Sequence, residues 1–319
     1  MTRPVLIVAG PTASGKSPLA LAIAEAMAGT IINADSMQVY RELAILTARP
    51  DAAALARAPH RLYGVIPVDE PSSAGRWREM ALAEMRSAHA AARLPIVTGG
   101  SGLYLKALVD GLAPVPQVPR ALREHSRALY AELGPEAFHQ ALARRDPAAA
   151  KLKSRDRQRQ LRAWEVLEAT GRTLAEWQRE RGPPAVERLA FAAILFDPPR
   201  PGLYAAIERR FDAMMAAGAL DEAAALHARG LDPALPALRA VGVAELLRHL
   251  SGELALEEAV ALAKRSSRQL AKRQLTWFRH HEPAEETLRI DHRPVAQYSE
   301  SFKARIFNFI RRTLLTVAD

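Results

Sequence analysis

The chain has 319 residues, of which 49% are hydrophobic, and carries a formal net charge of +9 at pH 7. This composition is typical of a globular protein with one large or two smaller domains, and no apolar run approaches the ~20 residues of a membrane span. The lack of cysteine excludes disulfide bonds and thiolate zinc sites and favours a cytoplasmic location, while the positive charge favours a polyanionic partner.

The first element is a glycine-rich loop between a predicted strand and a predicted helix. Residues 5–9 are all apolar and predict a buried strand, and residues 19–27, rich in Ala and Leu, predict a helix. The loop between them fits G-x-x-x-x-G-K-[ST], with Gly10, Pro11, Thr12, Ala13, Ser14, Gly15, Lys16 and Ser17. Its N–H groups and lysine would bind phosphate oxygens, and the Ser17 hydroxyl would bind Mg²⁺. The pattern leaves open which phosphate compound binds.

Two further strands end at residues that can carry chemistry. Residues 30–34 predict a strand that ends before Asp35, and residues 95–98 predict one that ends at the glycine-rich segment 99–104. Alternating strands and helices predict an α/β fold with a parallel sheet flanked by helices, in which ligands bind beyond the carboxyl ends of strands. Asp35 is therefore a candidate general base or a support for a metal site. A turn or helix-capping role is the alternative.

The middle of the chain predicts an all-helical insertion in this α/β domain. A proline-rich stretch at 114–119 precedes residues 120–180, which are charged, helical in pattern and without a convincing strand. Gly182, Pro183 and Pro184 close this segment, and residues 189–196 predict the next buried strand. We therefore divide the chain into a first part of the phosphate-loop core, a helical insertion, and a return strand with C-terminal helices, at residues 1–112, 113–185 and 186–319.

The remaining pattern after the return strand is helical. The other predicted elements are a possible short strand at 64–67 and helices at 75–94, 203–217, 220–229, 243–250 and 254–280. Asp197 follows the return strand and competes with Asp35 as the acidic residue of the site, but two prolines follow it and make a turn role equally consistent, so we rank Asp35 first. Arg209 and Arg210 could bring a guanidinium to a diphosphate, or could lie on a solvated helix face.

Basic residues are concentrated in two stretches. The first contains Lys151, Lys153, Arg155, Arg157, Arg159 and Arg162, with Asp156 as its one acid. The second contains Lys264, Arg265, Arg268, Lys272, Arg273 and Arg279, with no acid among them. Arg159 and Arg162 share one face of a predicted helix, because they are three residues apart. Two such stretches in one chain favour RNA or DNA as the partner, whereas each alone is equally typical of a solvated helix face.

With these motifs in hand, the chain resembles the bacterial tRNA dimethylallyltransferases. Motifs similar to the family's occur in the same order at residues 10–17 (GPTASGKS), 33–40 (NADSMQVY), 99–104 (GGSGLY), 159–166 (RQLRAWEV) and 269–279 (QLAKRQLTWFR). The chain departs from the family at Leu46 and Arg49, where the family has G-T-A-K-P. It also departs at Trp164 for leucine, at Ala206 for the first arginine of R-I-x-x-R, and at Val243 for an aromatic residue.

The resemblance implies transfer of a dimethylallyl group from its diphosphate to N6 of adenosine 37 in tRNA. Asp35 would accept the departing proton, while Lys16, Mg²⁺ on Ser17 and Arg210 would stabilise the leaving diphosphate. By analogy the helical insertion grips the anticodon stem-loop of tRNA and the protein is a monomer. The residues implied in tRNA contact are Asp35, Ser36, Met37, Gln38, Ser101, Arg123, Gln158, Arg159, Gln160, Leu161, Arg162, Arg239, Ala240, Val241, Gly242, Val243, Ala244, Lys272 and Arg273.

Two other functions share part of this pattern. An ATP-dependent kinase of a nucleoside or small metabolite would explain the loop and Mg²⁺, but it would leave both basic stretches without a role. A nucleotide-regulated RNA-binding protein would explain the basic stretches, but it needs no base beside its phosphate loop. We expect ATP to compete weakly for the loop, because the loop itself recognises only phosphates and Mg²⁺.

Overall fold

The core of the protein is a six-stranded parallel sheet in the order β3-β2-β4-β1-β5-β6. The computed structural model describes residues 2–180, 188–291 and 298–315. The strands are β1 (Arg3–Ala9), β2 (Gly29–Asn33), β3 (His60–Arg61), β4 (Leu94–Gly99), β5 (Leu189–Phe196) and β6 (Glu286–Ile290). The expected α/β class is confirmed. The carboxyl ends of β2, β4 and β1 are neighbours, which brings the segments after these three strands together.

Helices cover both faces of the sheet, which is why its central strands are continuous apolar runs. The helices are α1 (Lys16–Ala26), α2 (Ala52–Arg57), α3 (Ala74–Ala90), α4 (Gly102–Val109), α5 (Arg120–Arg145), α6 (Arg157–Thr170), α7 (Leu174–Arg179), α8 (Arg200–Ala216), α9 (Ala219–His227), α10 (Val243–Leu250), α11 (Leu256–His280) and α12 (Glu300–Ile310). Successive β1 side chains alternate between faces. Val5 and Ile7 pack in the cluster that contains α3 and α4, whereas Leu6 and Val8 pack in the cluster that contains α1 and α12.

The chain forms two compact units. The first comprises Met1–Asp110 and Glu187–Asp319 and contains the sheet, and the second comprises Gly111–Val186 and is helical. In the second unit, α5 breaks at Gly134, whose φ is 75°, and α6 packs on α5 around Phe138 and Trp164, with the two rings 5.0 Å apart. No helix in the described part of the chain is long and apolar enough to span a membrane.

Three sequence expectations differ from the structure or lie outside it. The prediction of a short strand at 64–67 is wrong. Gly64 has φ +62° and lies in a bend, and the segment forms a single isolated bridge, between Ile66 and Tyr40. The edge strand is instead His60–Arg61. The expectation that the C-terminal region is wholly helical is also wrong, since β6 pairs with β5 there. The residues 182–184 that were expected to close the insertion lie outside the described ranges.

Candidate active site

The phosphate loop connects β1 to α1, and two of its glycines are required by its geometry. A Cβ on Gly10 would lie 2.7 Å from the Cβ of Phe196, and Gly15 has φ +91° where it caps α1. Lys16 is the first residue of the helix, and its Nζ donates to the carbonyl of Pro11 at 2.6 Å. The lysine therefore folds back over its own loop, as the sequence pattern requires of a residue that binds the outer phosphate.

Two cations and one carboxylate meet beside this loop. Burial lowers the pKa of Lys16 to about 7, with Asp35 opposing this shift and Arg210 adding to it. Burial also lowers the pKa of Arg210, again opposed by the charge of Asp35. The Arg210 guanidinium donates to the Thr12 hydroxyl. Desolvated cations outnumber the carboxylate here, so the site is electrostatically suited to a multiply charged anion.

This depressed pKa leads to a pH prediction. Lys16 is charged below pH about 7 and loses its proton above it, whereas a bound diphosphate favours the charged form. Binding of a diphosphate substrate at pH 8 is therefore expected to take up close to one proton, and at pH 6 almost none through Lys16. Calorimetry in two buffers of different ionisation enthalpy measures this uptake. The Lys303→Met variant, which loses a surface lysine paired with Glu300, is expected to behave as the parent protein; equal uptake at both pH values would contradict the prediction.

Asp35 is held in place by Asn33, a fully buried residue at the end of β2. The Asn33 side chain accepts the N–H of Asp35 at 2.8 Å and donates to the carbonyls of Asp35 at 3.0 Å and Leu62 at 3.1 Å. The Trp77 indole donates to the Asn33 carbonyl at 2.7 Å. One carboxylate oxygen of Asp35 accepts the N–H of Met37 at 2.9 Å, so the carboxylate itself is oriented. Sequence reasoning gave Asn33 no role in the site, although it directly precedes the Ala-Asp pair.

The glycine-rich segment after β4 packs tightly against the rest of the protein. A Cβ on Gly99 would lie 2.2 Å from the carbonyl oxygen of Ala34, and one on Gly102 would lie 2.1 Å from the indole nitrogen of Trp277. The Ser101 hydroxyl accepts the N–H of Ser36 at 2.9 Å. The small residues therefore permit close contact between protein segments and join the segment after β4 to the segment that carries Asp35.

Gln274 on α11 joins the phosphate loop to the glycine-rich segment. Its Oε1 accepts the N–H of Thr12 at 2.8 Å, and its Nε2 donates to the carbonyl of Gly100 at 3.0 Å. Sequence reasoning assigned only the neighbouring Lys272 and Arg273 to the site. The signal for Gln274 was its place within the motif at residues 269–279, since composition alone favours the basic residues.

A cavity beside the loop has a polar end and an apolar wall. Its lining residues are Thr12, Asp35, Met37, Leu46, Thr47, Ile207, Arg210, Phe211, Met214, Ala240, Val241, Ser267 and Leu270. The polar end contains Thr12, Arg210 and Asp35, and the wall is formed mainly by aliphatic and aromatic side chains. Such a cavity suits a small molecule with an anionic head and a short apolar tail, with Asp35 beside both.

Several predicted contact residues do not lie on a surface. Gln160 is buried and donates to the carbonyls of Lys153 and Ser154, and Leu161 belongs to the core of the helical unit. Val243 is fully buried in the core of the sheet unit. This corrects the expectation that these three side chains touch RNA, because the periodicity of their helices turns them inward. The Gln38 side chain holds the turn at residues 47–48, since its amide donates to the carbonyls of residues 47 and 48 at 2.8 and 3.0 Å.

The other predicted tRNA residues divide between exposed positions and the cavity. Ala240 and Val241 line the cavity, Gly242 has φ +93° at the start of α10, and Ala244 is half-buried. The exposed residues are Arg123, Gln158, Arg159, Arg239, Lys272 and Arg273, and Arg162 is half-buried.

The helical unit carries a basic group around one buried acid. Burial raises the pKa of Glu165, while Arg162, Arg127 and Arg123 act in the opposite direction. Arg123 and Arg127 are exposed and lie one turn apart on α5. Three cations near one carboxylate leave an excess of positive charge on this unit. Arg127 is an addition to the set expected from sequence.

The basic stripe on α11 is partly neutralised within the fold. Lys264 pairs with Asp212 of α8 at 2.5 Å, and Arg268 pairs with Glu208 of α8 at 2.5 Å. Lys272 forms no ion pair in the described ranges, and neither does the adjacent arginine at 273. Lys264 and Arg268 are therefore neutralised within the fold, whereas the exposed Arg265, Lys272 and Arg273 are available to a partner.

Asp197 is engaged elsewhere in the fold. Its carboxylate lies 3.4 Å from the guanidinium of Arg289 on β6, and its N–H donates to the carbonyl of Ile290. This pairing supports the preference for Asp35 over Asp197 as the acidic residue of the site. Arg209 is exposed, whereas its neighbour Arg210 reaches the loop.

One protein oxygen near the loop, the Ser17 hydroxyl, could bind a magnesium ion together with the oxygens of a diphosphate. Among the described residues no group of three or more His, Cys, Asp or Glu side chains could hold a metal ion. The exposed Ser17 hydroxyl, at the second position of α1, makes no hydrogen bond within these ranges. Mg²⁺ typically binds through one or two protein oxygens, substrate phosphates and water, so one hydroxyl is a suitable protein contribution.

Comparisons with known proteins identify the family of this chain. The IPP transferase family model matches residues 38–281. A tRNA dimethylallyltransferase of Rhodospirillum centenum is 55% identical over 283 residues, which cover 88% of this chain and 89% of the relative. A tRNA dimethylallyltransferase of Paramagnetospirillum magneticum is 52% identical over 99% of this chain and 98% of the relative. The crystal structure of the full-length tRNA isopentenylpyrophosphate transferase from Bacillus halodurans aligns over 100% of both chains with a TM-score of 0.69 and 29% identity. The chain therefore belongs to the tRNA dimethylallyltransferase family.

Proposed function

We propose that this enzyme transfers the dimethylallyl group of dimethylallyl diphosphate to N6 of adenosine 37 in tRNA and releases pyrophosphate. The observation that carries the proposal is the cavity in which Thr12, Arg210 and Asp35 adjoin an apolar wall. A diphosphate would occupy the polar end and the five-carbon tail would lie along the wall. ATP is expected to fit poorly, because its adenosine would have to enter the same confined apolar space.

The proposed reaction is a displacement at C1 of the allylic substrate. The C1–O bond breaks, its electron pair leaves with the pyrophosphate, and the N6 lone pair forms the new C1–N bond. Asp35 accepts the N6 proton, since its carboxylate is oriented by the Met37 N–H and fixed through Asn33. Lys16 and Arg210 stabilise the negative charge that develops on the leaving group. Mg²⁺, held by Ser17 and the diphosphate, would add further charge neutralisation.

The adenine must leave its stack to reach this cavity. Extrusion costs a few kcal/mol, and the cost is smaller for a base in a loop than for one in a duplex. We assign the anticodon stem-loop to the helical insertion that the sequence predicts at residues 113–185, with Arg123, Arg159 and Arg162 as phosphate contacts. The protein is proposed to act as a monomer in the cytoplasm.

The direct test is incubation of the protein with tRNA, dimethylallyl diphosphate and Mg²⁺, followed by mass spectrometry of the nucleosides. The expected result is a five-carbon addition to adenosine 37, with one pyrophosphate released for each addition. A tRNA with guanosine at position 37 serves as the control and is expected to remain unmodified. Unaltered tRNA would favour a pure RNA-binding protein, and orthophosphate released from ATP in its place would favour a kinase.

The RNA-binding role of the helical unit has its own test. Changing Arg159 and Arg162 together to glutamine is expected to weaken tRNA binding and to reduce the slope of log K against log salt by about 1.4–1.8, because each phosphate contact contributes about 0.7–0.9. Binding of dimethylallyl diphosphate is expected to stay unchanged. The control variant Arg57→Gln/Arg305→Gln removes two exposed positive charges from the sheet unit. An unaltered salt slope would show that the face is only solvated.

A further inference from the structure

Glu222 on α9 holds a segment that has no regular secondary structure. Its Oε2 accepts the N–H groups of Ala44 and Ile45, both at 2.8 Å, and its Oε1 accepts the N–H of Leu46 at 2.9 Å. The segment lies in turns between β2 and α2, so these three N–H groups have no strand or helix partner. A half-buried carboxylate more than 170 residues away in sequence supplies all three acceptors.

The same segment forms part of the apolar wall of the cavity. Leu46 is 5% exposed and lines the cavity together with Thr47, Phe211 and Met214. A Cβ on Gly242 would lie 2.9 Å from a terminal methyl of Leu46, so the leucine is also confined from the side of α10. Any change in the backbone at residues 44–46 therefore moves a side chain that faces the proposed allylic tail.

The acidic residue next to Glu222 makes none of these contacts. Asp221 and Glu222 both lie in the first turn of α9, where a negative charge is favourable at the helix N-terminus. Asp221 is exposed, and only Glu222 turns toward the segment. A general effect of charge at this helix end can therefore be separated from an effect of the three hydrogen bonds.

We propose that Glu222 is a positioning residue that sets the apolar wall of the allylic pocket through Leu46 and thereby governs the affinity and the selectivity for a five-carbon tail. This inference rests on the proposed function, since it concerns the substrate of the same site. A charged carboxylate suits the role, because its two oxygens can accept from three donors at once.

The first test is the Glu222→Gln variant. Glutamine keeps the size of the side chain but replaces one acceptor oxygen with an NH₂ donor, which then faces a backbone N–H. The KM for dimethylallyl diphosphate is expected to rise roughly tenfold, with kcat within about threefold of the parent and the KM for tRNA unchanged. The preference for dimethylallyl over geranyl diphosphate is expected to fall, because a loosened wall admits a longer tail. Asp221→Asn is the matched control and is expected to change none of these quantities.

The second test is a double-mutant cycle with Leu46→Ala, which opens the wall directly. If Glu222 acts through Leu46, the effects of the two substitutions on KM and on tail preference are non-additive. Should thermal melting show that Glu222→Gln does not fold, Glu222→Asp takes its place in the cycle. Its shorter side chain keeps the charge and reaches fewer of the three N–H groups.

Three outcomes would overturn the inference. The first is an unaltered KM for dimethylallyl diphosphate and an unaltered tail preference in the Glu222 variant. The second is additive effects of the two substitutions in the double-mutant cycle. The third is a change of KM in Asp221→Asn as large as the change in the Glu222 variant. In each of these the parent protein still transfers the dimethylallyl group, so the proposed function stands. If the parent protein transfers nothing from either diphosphate, the proposed function fails and the inference fails with it.

Discussion

The Asp35→Asn variant is expected to lose about 10²–10⁴ in kcat, the usual contribution of a general base. Asparagine retains the shape of the side chain and can still accept the N–H of Met37, so the loop geometry is expected to persist. The N6 proton then has no acceptor, whereas tRNA affinity changes little. Single-turnover transfer rates and filter-binding measurements with tRNA separate these two effects.

Asp197→Asn is the matched control for this experiment. Asp197 also follows a strand of the sheet, but its carboxylate pairs with Arg289 outside the cavity. Its amide variant is expected to keep the parent rate of transfer. Full turnover by Asp35→Asn would remove this carboxylate from the role of base.

The Lys16→Ala variant is expected to lose dimethylallyl diphosphate binding and prenyl transfer together. One cation serves both the bound substrate and the leaving pyrophosphate, and truncating one partner of a desolvated charge pair costs about 2–5 kcal/mol. Calorimetric titration with the diphosphate and mass spectrometry of the tRNA measure the two losses. The loss is expected to be larger below pH about 7, where the parent lysine carries its proton.

Lys303→Ala is the corresponding control, because this lysine pairs with Glu300 on α12 outside the cavity. It is expected to bind and transfer as the parent protein does. A Lys16→Ala variant that binds the diphosphate normally would show that the loop holds the substrate through its backbone alone.

The order of motifs along the chain is sufficient to predict the fold class and to predict that the segments after β1, β2 and β4 lie together at one edge of the sheet. The apolar runs that become β2 and β4 are fully buried, and those that become β1 and β5 each contain five consecutive buried residues, so their pattern predicts strands clearly. The strand β6 was missed because its burial is low and its five residues follow a long helix. An edge strand with few buried residues has a weak hydrophobic pattern, so it is hard to predict from sequence.

The residues that were missed in the site act through hydrogen bonds across large sequence distances. Asn33, Glu222 and Gln274 carry no special composition signal, and each fixes backbone groups of another segment. Conversely, Gln160 and Val243 lie inside motifs but point into the core. A motif identifies a segment, whereas the helix periodicity decides which of its side chains faces a ligand.

The bond between Thr12 and Gln274 also constrains when the site can form during synthesis. The two residues are 262 positions apart in the chain, and ribosomes add about 5–20 residues per second, so roughly 13–50 s separate their appearance. Until α11 has been made, the phosphate loop lacks its connection to the glycine-rich segment, and the apolar strand β1 lacks its neighbour β5 for much of that time. Because β1 can already pair with β4, the nascent chain presents one unpaired edge of an apolar strand until β5 has been made. An exposed strand edge of this kind favours aggregation and is a form that chaperones protect.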